Sequence, residues 1–330
     1  MGDDAGMIWN DVVAMALAEN VLSENKTLIS IAYKGDDEFI ASLENAIHAA
    51  ALSAGYDPTI LDSKNSAGLQ LTQMESARKN GEKSIIVNLV DPAEAPRLLE
   101  AAGDLKVVLV NRAPLDMSLL GPNSVYVGSD ESEAGRLQGE WLAKHFKEQG
   151  VKEIRYLLLQ GPTNLPSTVQ RTESVLKALG DAGMTATEAA PPIVADYNRS
   201  EALYKIFPVL KSGVPFDVII SNNDAMALGA IQALESLGED PAKTPVVGID
   251  ATEPAVQALL AGKLAMTVFQ DAEAQGKTAI TALTNLLEGK PVRTGIDYPV
   301  IKNNPYNIRI PFEPVTKDHF PKNLHFQSFA

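Results

Sequence analysis

The residues best suited to do chemistry in this chain follow short apolar runs, in the loops where a strand would give way to a helix. They combine carboxylates, amides, arginines and aromatic rings. The candidates are Tyr33, Asp37, Phe39, Asn111, Arg112, Arg171, Tyr197, Asn223, Asp250 and Gln270. Carboxylates and amides bond to vicinal hydroxyls, arginine supplies forked donors, and an aromatic face packs against the C–H face of a pyranose. The set predicts a binding site for an uncharged, hydroxyl-bearing small molecule.

Several of these candidates also have a simpler structural interpretation. Asp37 and Asp250 could be N-caps of the helices that follow them, and Phe39 could be a core residue at the head of its helix. Tyr197 could cover the edge of a sheet. Asn88, which follows another apolar run, is predicted to stabilise its own turn and is left out of the site.

The residues that catalysis, metal binding or phosphate binding would need are poorly represented. Cys is absent, and the four histidines, at 48, 145, 319 and 325, have no metal-ligand spacing. No glycine-rich phosphate loop and no G-x-S-x-G motif occurs. We therefore expect a binding protein and not an enzyme, with no cofactor and no bound metal.

One stretch, Val218 to Ala230, indicates how the elements position these residues. It opens as an apolar run, places polar residues at 221–224, and resumes with apolar residues at helical spacing. A run that is apolar on both faces indicates a buried parallel strand, and Asp224 is predicted to be the N-cap of the next helix. Asn222 and Asn223 then lie at the carboxyl end of a strand, where open α/β sheets bind their ligands.

The same strand–helix unit recurs from Leu28 to Leu287. This alternation predicts an α/β fold with parallel sheets, and about ten such strands are more than one lobe of ordinary size would hold. We predict two doubly wound parallel-sheet lobes joined by a multi-strand hinge. The predicted N-terminal lobe is 27–129 plus 271–304, the C-terminal lobe is 130–270 plus 305–330, and 1–26 is an appendage.

Charge restricts the partners. The formal net charge of −14 argues against binding to nucleic acid or to an anionic membrane surface. The start, Met1-Gly2-Asp3-Asp4, lacks the basic region of a signal peptide, so we expect either a cytoplasmic protein or a chain whose leader has been removed.

Together the motifs resemble the type I periplasmic sugar-binding proteins over roughly Thr27 to Phe320. The resemblance is strongest to the glucose/galactose-binding branch and more distant to ribose-binding protein. The motifs that carry it are Ala32-Tyr33-Lys34-Gly35-Asp36-Asp37-Glu38-Phe39, Asn88-Leu89-Val90-Asp91-Pro92, Tyr126-Val127-Gly128-Ser129-Asp130, Asn222-Asn223-Asp224-Ala225-Met226-Ala227-Leu228-Gly229-Ala230, Val247-Gly248-Ile249-Asp250 and Thr267-Val268-Phe269-Gln270-Asp271.

The resemblance implies the fold of a type I periplasmic binding protein and a site shared by the two lobes. Phe39 on one lobe and Tyr197 on the other would sandwich the ligand. The hydrogen-bonding positions would be Tyr33, Asp37, Asn111, Arg171, Asn223, Asp250 and Gln270. It further implies a monomeric solute-binding protein of the periplasm or extracellular face, which closes over a glucose- or galactose-like hexose, a pentose or a polyol and delivers it to the permease of an ABC importer.

Two departures from the glucose/galactose pattern bear on the ligand. That branch has a His and an Asp where this chain has Leu165 and Ser167, two groups that would bind hydroxyls at the anomeric end. A differently oriented monosaccharide, a sugar without those hydroxyls, or a polyol or cyclitol therefore stays open. The calcium loop of the branch is also missing, since 147–152 lacks the D-x-[DN]-x-[DN]-G pattern, and we expect no calcium there.

Other roles share this fold. A sugar-sensing component that serves a chemoreceptor or a sensor kinase has the same sequence features and stays an alternative. The effector core of a repressor would need a basic helix-turn-helix at its N-terminus, whereas Lys26 is the only basic residue among the first 26.

Overall fold

The computed structural model describes residues 26–32 and 37–324. The predicted appendage, apart from Lys26, and the candidate Tyr33 lie outside the described residues.

Strands and helices alternate along the first part of the chain. They are β1 (Lys26–Ile31), α1 (Glu38–Ser53), β2 (Asp57–Asp62), α2 (Ala67–Lys79), β3 (Ser84–Val87), α3 (Ala95–Ala102), β4 (Lys106–Val110) and β5 (Ser124–Gly128). The strands form a parallel sheet in the order β2-β1-β3-β4-β5, and a late strand adds to the β5 edge. This is the predicted doubly wound arrangement.

The second series of elements repeats the pattern. Its members are α4 (Glu131–Glu148), β6 (Glu153–Gln160), α5 (Pro166–Asp181), β7 (Thr185–Glu188), β8 (Ile193–Val194), α6 (Arg199–Lys211), β9 (Val218–Ser221), α7 (Asp224–Ser236), β10 (Val246–Val247), α8 (Glu253–Leu260), β11 (Thr267–Phe269), α9 (Ala272–Leu287), β12 (Asn307–Arg309) and β13 (Glu313–Val315). The second sheet is also parallel, in the order β7-β6-β9-β10, with β8 paired to the end of β6. The predicted α/β class is confirmed.

The strands of the second sheet are apolar throughout because both of their faces are covered. Leu157 and Ile219 enter one hydrophobic cluster, whereas Leu158 and Ile220 enter the cluster on the opposite face. Alternate side chains of a strand point to opposite faces, so a sheet covered on both sides needs a continuous apolar run. This is why the sequence of β9 indicated a buried parallel strand.

The late strands differ from the expectation of uniformly parallel pairing. β11 pairs in the antiparallel sense with β13, with Val268 opposite Pro314. Neither β7 nor β13 was predicted, because each is short and lacks an apolar run: β7 reads Thr-Ala-Thr-Glu and β13 reads Glu-Pro-Val. The last strand was predicted over 307–312, but the structure has a shorter strand there, β12, which ends at Arg309.

The chain folds into two compact units. Among the described residues, unit 1 comprises 26–32, 43–127 and 275–307, and unit 2 comprises 37–42, 128–274 and 308–324. The stretch 37–42 groups with unit 2, although the sequence placed it in the N-terminal lobe; the predicted lobe boundaries stay a prediction. In the part of the chain that the structure describes, no helix has the length and apolar character needed to cross a bilayer.

Candidate functional site

Each unit has one point at which the strand order reverses. In unit 1, β1 lies between β2 on one side and β3 on the other, and in unit 2, β6 lies between β7 and β9, so the chain passes from one side of the central strand to the other. Ligands of open α/β sheets bind outside the carboxyl ends of the strands at such a point. Predicted site residues follow strands of both sheets, since Asn111 and Arg112 follow β4 in unit 1 and Asn223 follows β9 in unit 2.

In unit 1 the polar residues after β3 and β4 bond to one another. The Asn88 amide donates to the carbonyl of Val110 at 3.2 Å and to Asn111 Oδ1 at 3.4 Å. The Arg112 guanidinium donates to the carbonyl of Leu89 at 3.0 Å. Asn88 therefore ties neighbouring strand ends together and does more than stabilise its own turn. The structure brings the two candidates Asn111 and Arg112 together beside it.

The unit 2 candidates lie around Arg171, whose guanidinium is almost fully buried. Its Nε donates to Glu131 Oε2 at 2.6 Å, and Nη1 donates to the carbonyl of Asn222 at 2.8 Å. Nη2 donates to Gln270 Oε1 at 3.4 Å, and Nη1 lies 3.9 Å from Asp250 Oδ1. Burial disfavours the charged guanidinium, but the attraction of Glu131 and its neighbours outweighs burial and raises the pKa of Arg171. One cation thus connects four strand–helix junctions, at residues 131, 222, 250 and 270.

Close packing of α4 on α5 places Arg171 beside Glu131. A Cβ on Gly135 would lie 2.2 Å from the carbonyl oxygen of Arg171, and a Cβ on Gly139 would lie 2.5 Å from that of Val175. Only glycine allows the two backbones to approach this closely. Glu131, one turn before Gly135, is held against the guanidinium as a result.

The aromatic candidate Tyr197 is fixed at the hydroxyl end of its ring. Its hydroxyl bonds with the hydroxyls of Ser167 at 2.9 Å and Thr168 at 3.0 Å. Its ring lies against Gly161, where a Cβ would come within 2.2 Å of Cζ, and its centroid is 6.0 Å from Arg171 Cζ. Tyr197 is 8 % exposed. It is therefore a rigid wall beside the guanidinium.

The turn after β9 corrects one prediction. The N-cap of α7 is Asn223, whose Oδ1 accepts from the Met226 backbone N–H at 3.0 Å, and not Asp224. Asp224 is the first helical residue; its carboxylate accepts from the Thr267 hydroxyl at 2.7 Å and from the Thr252 backbone N–H at 2.9 Å. These partners lie 28 and 43 residues away along the chain, so local capping preference could not reveal them.

Asp250 is the carboxylate of the site that is least satisfied within the protein. It is 6 % exposed, and the only side chain of the described residues that its carboxylate pairs with is Arg171, at 3.9 Å. Burial raises its pKa well above the ordinary value, Arg171 opposes the increase, and nearby carboxylates add to it. Asp250 does not cap α8, whose N-cap is Thr252.

Gln270 complements Asp250. It is 2 % exposed, and its Nε2 has no hydrogen-bond partner among the described residues. Its backbone N–H reaches the carbonyl of Asp250 at 3.3 Å. A buried donor and a buried acceptor whose capacity is unused are costly in a protein unless something else bonds to them.

Backbone strain marks the same positions. Asn111, Tyr197 and Asp250 have φ of +65°, +60° and +119°, a region that L-residues other than asparagine rarely adopt. Strained residues of this kind concentrate at binding and active sites. Nothing in the sequence indicated this, because these positions hold no glycine.

The remaining candidates, Asp37 and Phe39, lie at the start of α1. Asp37 Oδ1 accepts from the Ile40 backbone N–H at 3.0 Å, so it caps the helix, and its charge also raises the pKa of Asp250. Phe39 is buried. Asp37 is thus an N-cap and Phe39 a buried residue, as their structural interpretations expected. Neither observation tests a role in ligand binding.

Sequence reasoning missed Glu131 and the hydroxyl pair that holds Tyr197. The signal for Glu131 was present, since an acidic residue at the first position of a helix suits the helix dipole. Its partner was not evident, because Glu131 and Arg171 are 40 residues apart. Among the described residues, no group of three or more acidic or histidine side chains converges as a metal site would require.

Comparison with known proteins decides the family. The profile of the periplasmic binding protein domain matches residues 28–291 of the chain. The chain belongs to the periplasmic binding protein family. Membership identifies it as a solute-binding protein, which confirms the expected function class and the expectation that it is not an enzyme.

Individual relatives agree with the family. The D-galactose/methyl-galactoside binding periplasmic protein MglB of Haemophilus influenzae is 33 % identical over 310 residues, which are 90 % of this chain and 91 % of MglB. The ribose import binding protein RbsB of Salmonella typhimurium is 27 % identical and covers 88 % of this chain and 94 % of RbsB. The family description and the name of MglB both refer to the periplasm, which agrees with the expected location.

A solved structure matches over the same length. The ABC transporter solute binding protein from Bacillus halodurans, solved with bound myo-inositol, has a TM-score of 0.76 and 27 % identity. The match covers 90 % of this chain and 96 % of that protein. It confirms the predicted fold of a type I periplasmic binding protein.

Proposed function

We propose that this protein binds an uncharged monosaccharide or polyol and delivers it to the permease of an ABC importer. The observation that carries the proposal is the pair Asp250 and Gln270. Each is more than nine-tenths buried, and each has bonding capacity that the described residues do not use. A hydroxyl group can donate to a carboxyl oxygen of Asp250 and accept from the Gln270 amide, so a ring with vicinal hydroxyls satisfies both.

The comparisons support a class of ligands and do not single out one compound within it. The names of the relatives refer to galactose and ribose, and the Bacillus halodurans protein was solved with myo-inositol. In this chain Leu165 is buried in the hydrophobic core, and the Ser167 hydroxyl bonds to Tyr197. Neither offers the His or Asp side chain that the glucose/galactose branch has there, so the proposed class includes a differently oriented monosaccharide, a sugar without those hydroxyls, and a polyol or cyclitol.

We assign the contacts as the sequence predicted them. Asn111 and Arg112 of unit 1, and Arg171, Asn223, Asp250 and Gln270 of unit 2, are proposed to bond to the ligand. Tyr33 and Asp37 are proposed as further polar contacts, and Phe39 and Tyr197 as the aromatic ones. Ligand contacts from both units would favour a hinge-closed form, which the permease recognises. The proposal keeps the predicted lobe boundaries.

The partners beyond the permease are part of the proposal. A chemoreceptor or a sensor kinase would recognise the same closed form, and the protein is proposed to act as a monomer. Size-exclusion chromatography with light scattering tests the oligomeric state; a stable dimer at micromolar concentration would contradict it.

Isothermal titration calorimetry tests the ligand class, with D-galactose, D-glucose, D-ribose and myo-inositol as the panel. At least one compound is expected to bind, and small-angle scattering is expected to show a smaller radius of gyration with that compound. Gln270→Ala is expected to weaken binding, whereas Gln149→Ala, an exposed glutamine at the end of α4, serves as the matched control. Binding of none of the four compounds at micromolar protein would overturn the proposal.

A further inference from the structure

Arg171 presents a problem for a protein that binds neutral ligands. A buried guanidinium with free N–H groups is a strong receptor for a carboxylate, which it binds through two parallel hydrogen bonds. Such a group would be expected to recruit sugar acids into the site as readily as neutral sugars. The structure contains a feature that acts against this.

That feature is Glu131. Its side chain is 10 % exposed and its Oε2 lies 2.6 Å from Arg171 Nε, a shorter contact than the 2.8 Å bond from Nη1 to the carbonyl of Asn222. The bond uses the N–H that does not face Asp250 and Gln270. It leaves Nη1 and Nη2 directed at Asn222, Asp250 and Gln270.

Glu131 also changes the charge of the site. The negative charges of Glu131 and Asp37 both act on Asp250, against the single positive charge of Arg171. A ligand carboxylate would therefore meet a surplus of negative charge. Juxtaposing like charges in a desolvated site is a standard way in which proteins reject a wrong ligand.

We propose that Glu131 is a positioning residue that fixes the Arg171 guanidinium and cancels its charge, and so makes the site select neutral sugars or polyols against their carboxylate-bearing analogues. This inference rests on the proposed function and names a determinant of specificity within it. Glu131 acts through Arg171 and does not contact the ligand.

The test measures dissociation constants by calorimetry for the neutral sugars and for two uronates, D-galacturonate and D-glucuronate. Each hexose is compared with its own uronate, and D-glucuronate is the anionic probe if myo-inositol binds tightest, because both are six-membered rings. Glu131→Gln keeps the shape of the side chain and removes its charge. Its matched control is Glu140→Gln on the same helix, an exposed residue that pairs with Arg136 at 2.7 Å.

In the unmodified protein the neutral compound is expected to bind and the uronate to bind far more weakly. Glu131→Gln is expected to weaken the neutral compound and to strengthen the uronate, so that discrimination falls at least about tenfold. Glu140→Gln should leave both constants unchanged. A merely structural role for Glu131 would weaken both ligands by the same factor, and that result, or no uronate binding to Glu131→Gln, overturns the inference.

Glu131→Asp is the second variant, used if Glu131→Gln does not fold. It keeps the negative charge and shortens the side chain by one methylene group. It is expected to weaken the neutral compound while discrimination stays as in the unmodified protein; an unchanged affinity contradicts the positioning role. Failure of the unmodified protein to bind any neutral compound is a different result, because it removes the proposed function itself.

Discussion

Gly161→Ala gives the sharpest test of how the site is built. The new Cβ would lie 2.2 Å from Tyr197 Cζ, 2.4 Å from its Cε1 and 2.7 Å from Thr168 Oγ1. None of these atoms can retreat easily, because the Tyr197 hydroxyl is held by Ser167 and Thr168. The ring must leave its place for the methyl group to fit.

The cost can be worked from these contacts. Overpacking of a close-packed site costs about 1–3 kcal/mol of unfolding free energy. Because Tyr197 is a proposed aromatic contact of the ligand, its displacement is expected to remove apolar contact on the order of 1–2 kcal/mol, which corresponds to about a 5–30-fold rise in dissociation constant. Urea denaturation measures the first effect, and calorimetry with the ligand found in the panel measures the second.

Gly180→Ala is the matched control. It lies near the end of the same helix that carries Arg171, its Cβ would have no atom within 4 Å, and no positive φ is involved. A helix gains up to about 1 kcal/mol from such a change, and binding should not change.

A double-mutant cycle isolates the cause. In a Tyr197→Ala background, Gly161→Ala should cost much less than it does alone, since the ring that it strikes is gone. If Gly161→Ala has the same free energy of unfolding and the same dissociation constant as the unmodified protein, Tyr197 does not pack against residue 161. The account of the aromatic wall would then be wrong.

Three further predictions concern the charged residues of unit 2. Asp250→Asn should weaken ligand binding by about 1–3 kcal/mol in calorimetry without lowering the free energy of unfolding, because the buried carboxylate is poorly compensated; a fall in stability equal to the loss of affinity would contradict this. Arg171→Met should lower the free energy of unfolding by about 3–5 kcal/mol, as it leaves Glu131 buried without its cation, and a melt like that of the unmodified protein would refute the pairing. Burial raises the pKa of Asp224 to about 7, so the folded state holds a proton that the unfolded state has lost; stability should therefore fall as pH rises from about 4 through 7, by at most about 1.4 kcal/mol per pH unit. Asp224→Asn should make that profile less steep in urea titrations between pH 4 and 8, with the raised pKa of Asp250 accounting for the slope that remains; an unaltered slope would count against it.

Much of the fold could be predicted because its signals are local. The apolar run of β9 is buried on both faces. A buried strand of this kind can be predicted from its own residues, without knowing which strands lie beside it. The placement of Asn111, Arg171 and Gln270 after apolar segments likewise followed from the alternation of strands and helices. β7 and β13 escaped prediction, since pairing with a neighbour defines them and their own sequences carry no apolar pattern.

The sequence by itself determined the α/β class, the repetition of the strand–helix unit and the chemical types of the side chains at the strand ends. Only the tertiary structure decided which of them are satisfied and which have capacity left. Glu131 contacts Arg171 because glycines let α4 and α5 approach closely. The carboxyl oxygens of Asp224 accept hydrogen bonds from Thr267 and Thr252, whereas those of Asp250 have no such partners among the described residues. Such pairings join residues far apart along the chain, so they depend on helix packing and strand order, which local periodicity does not encode.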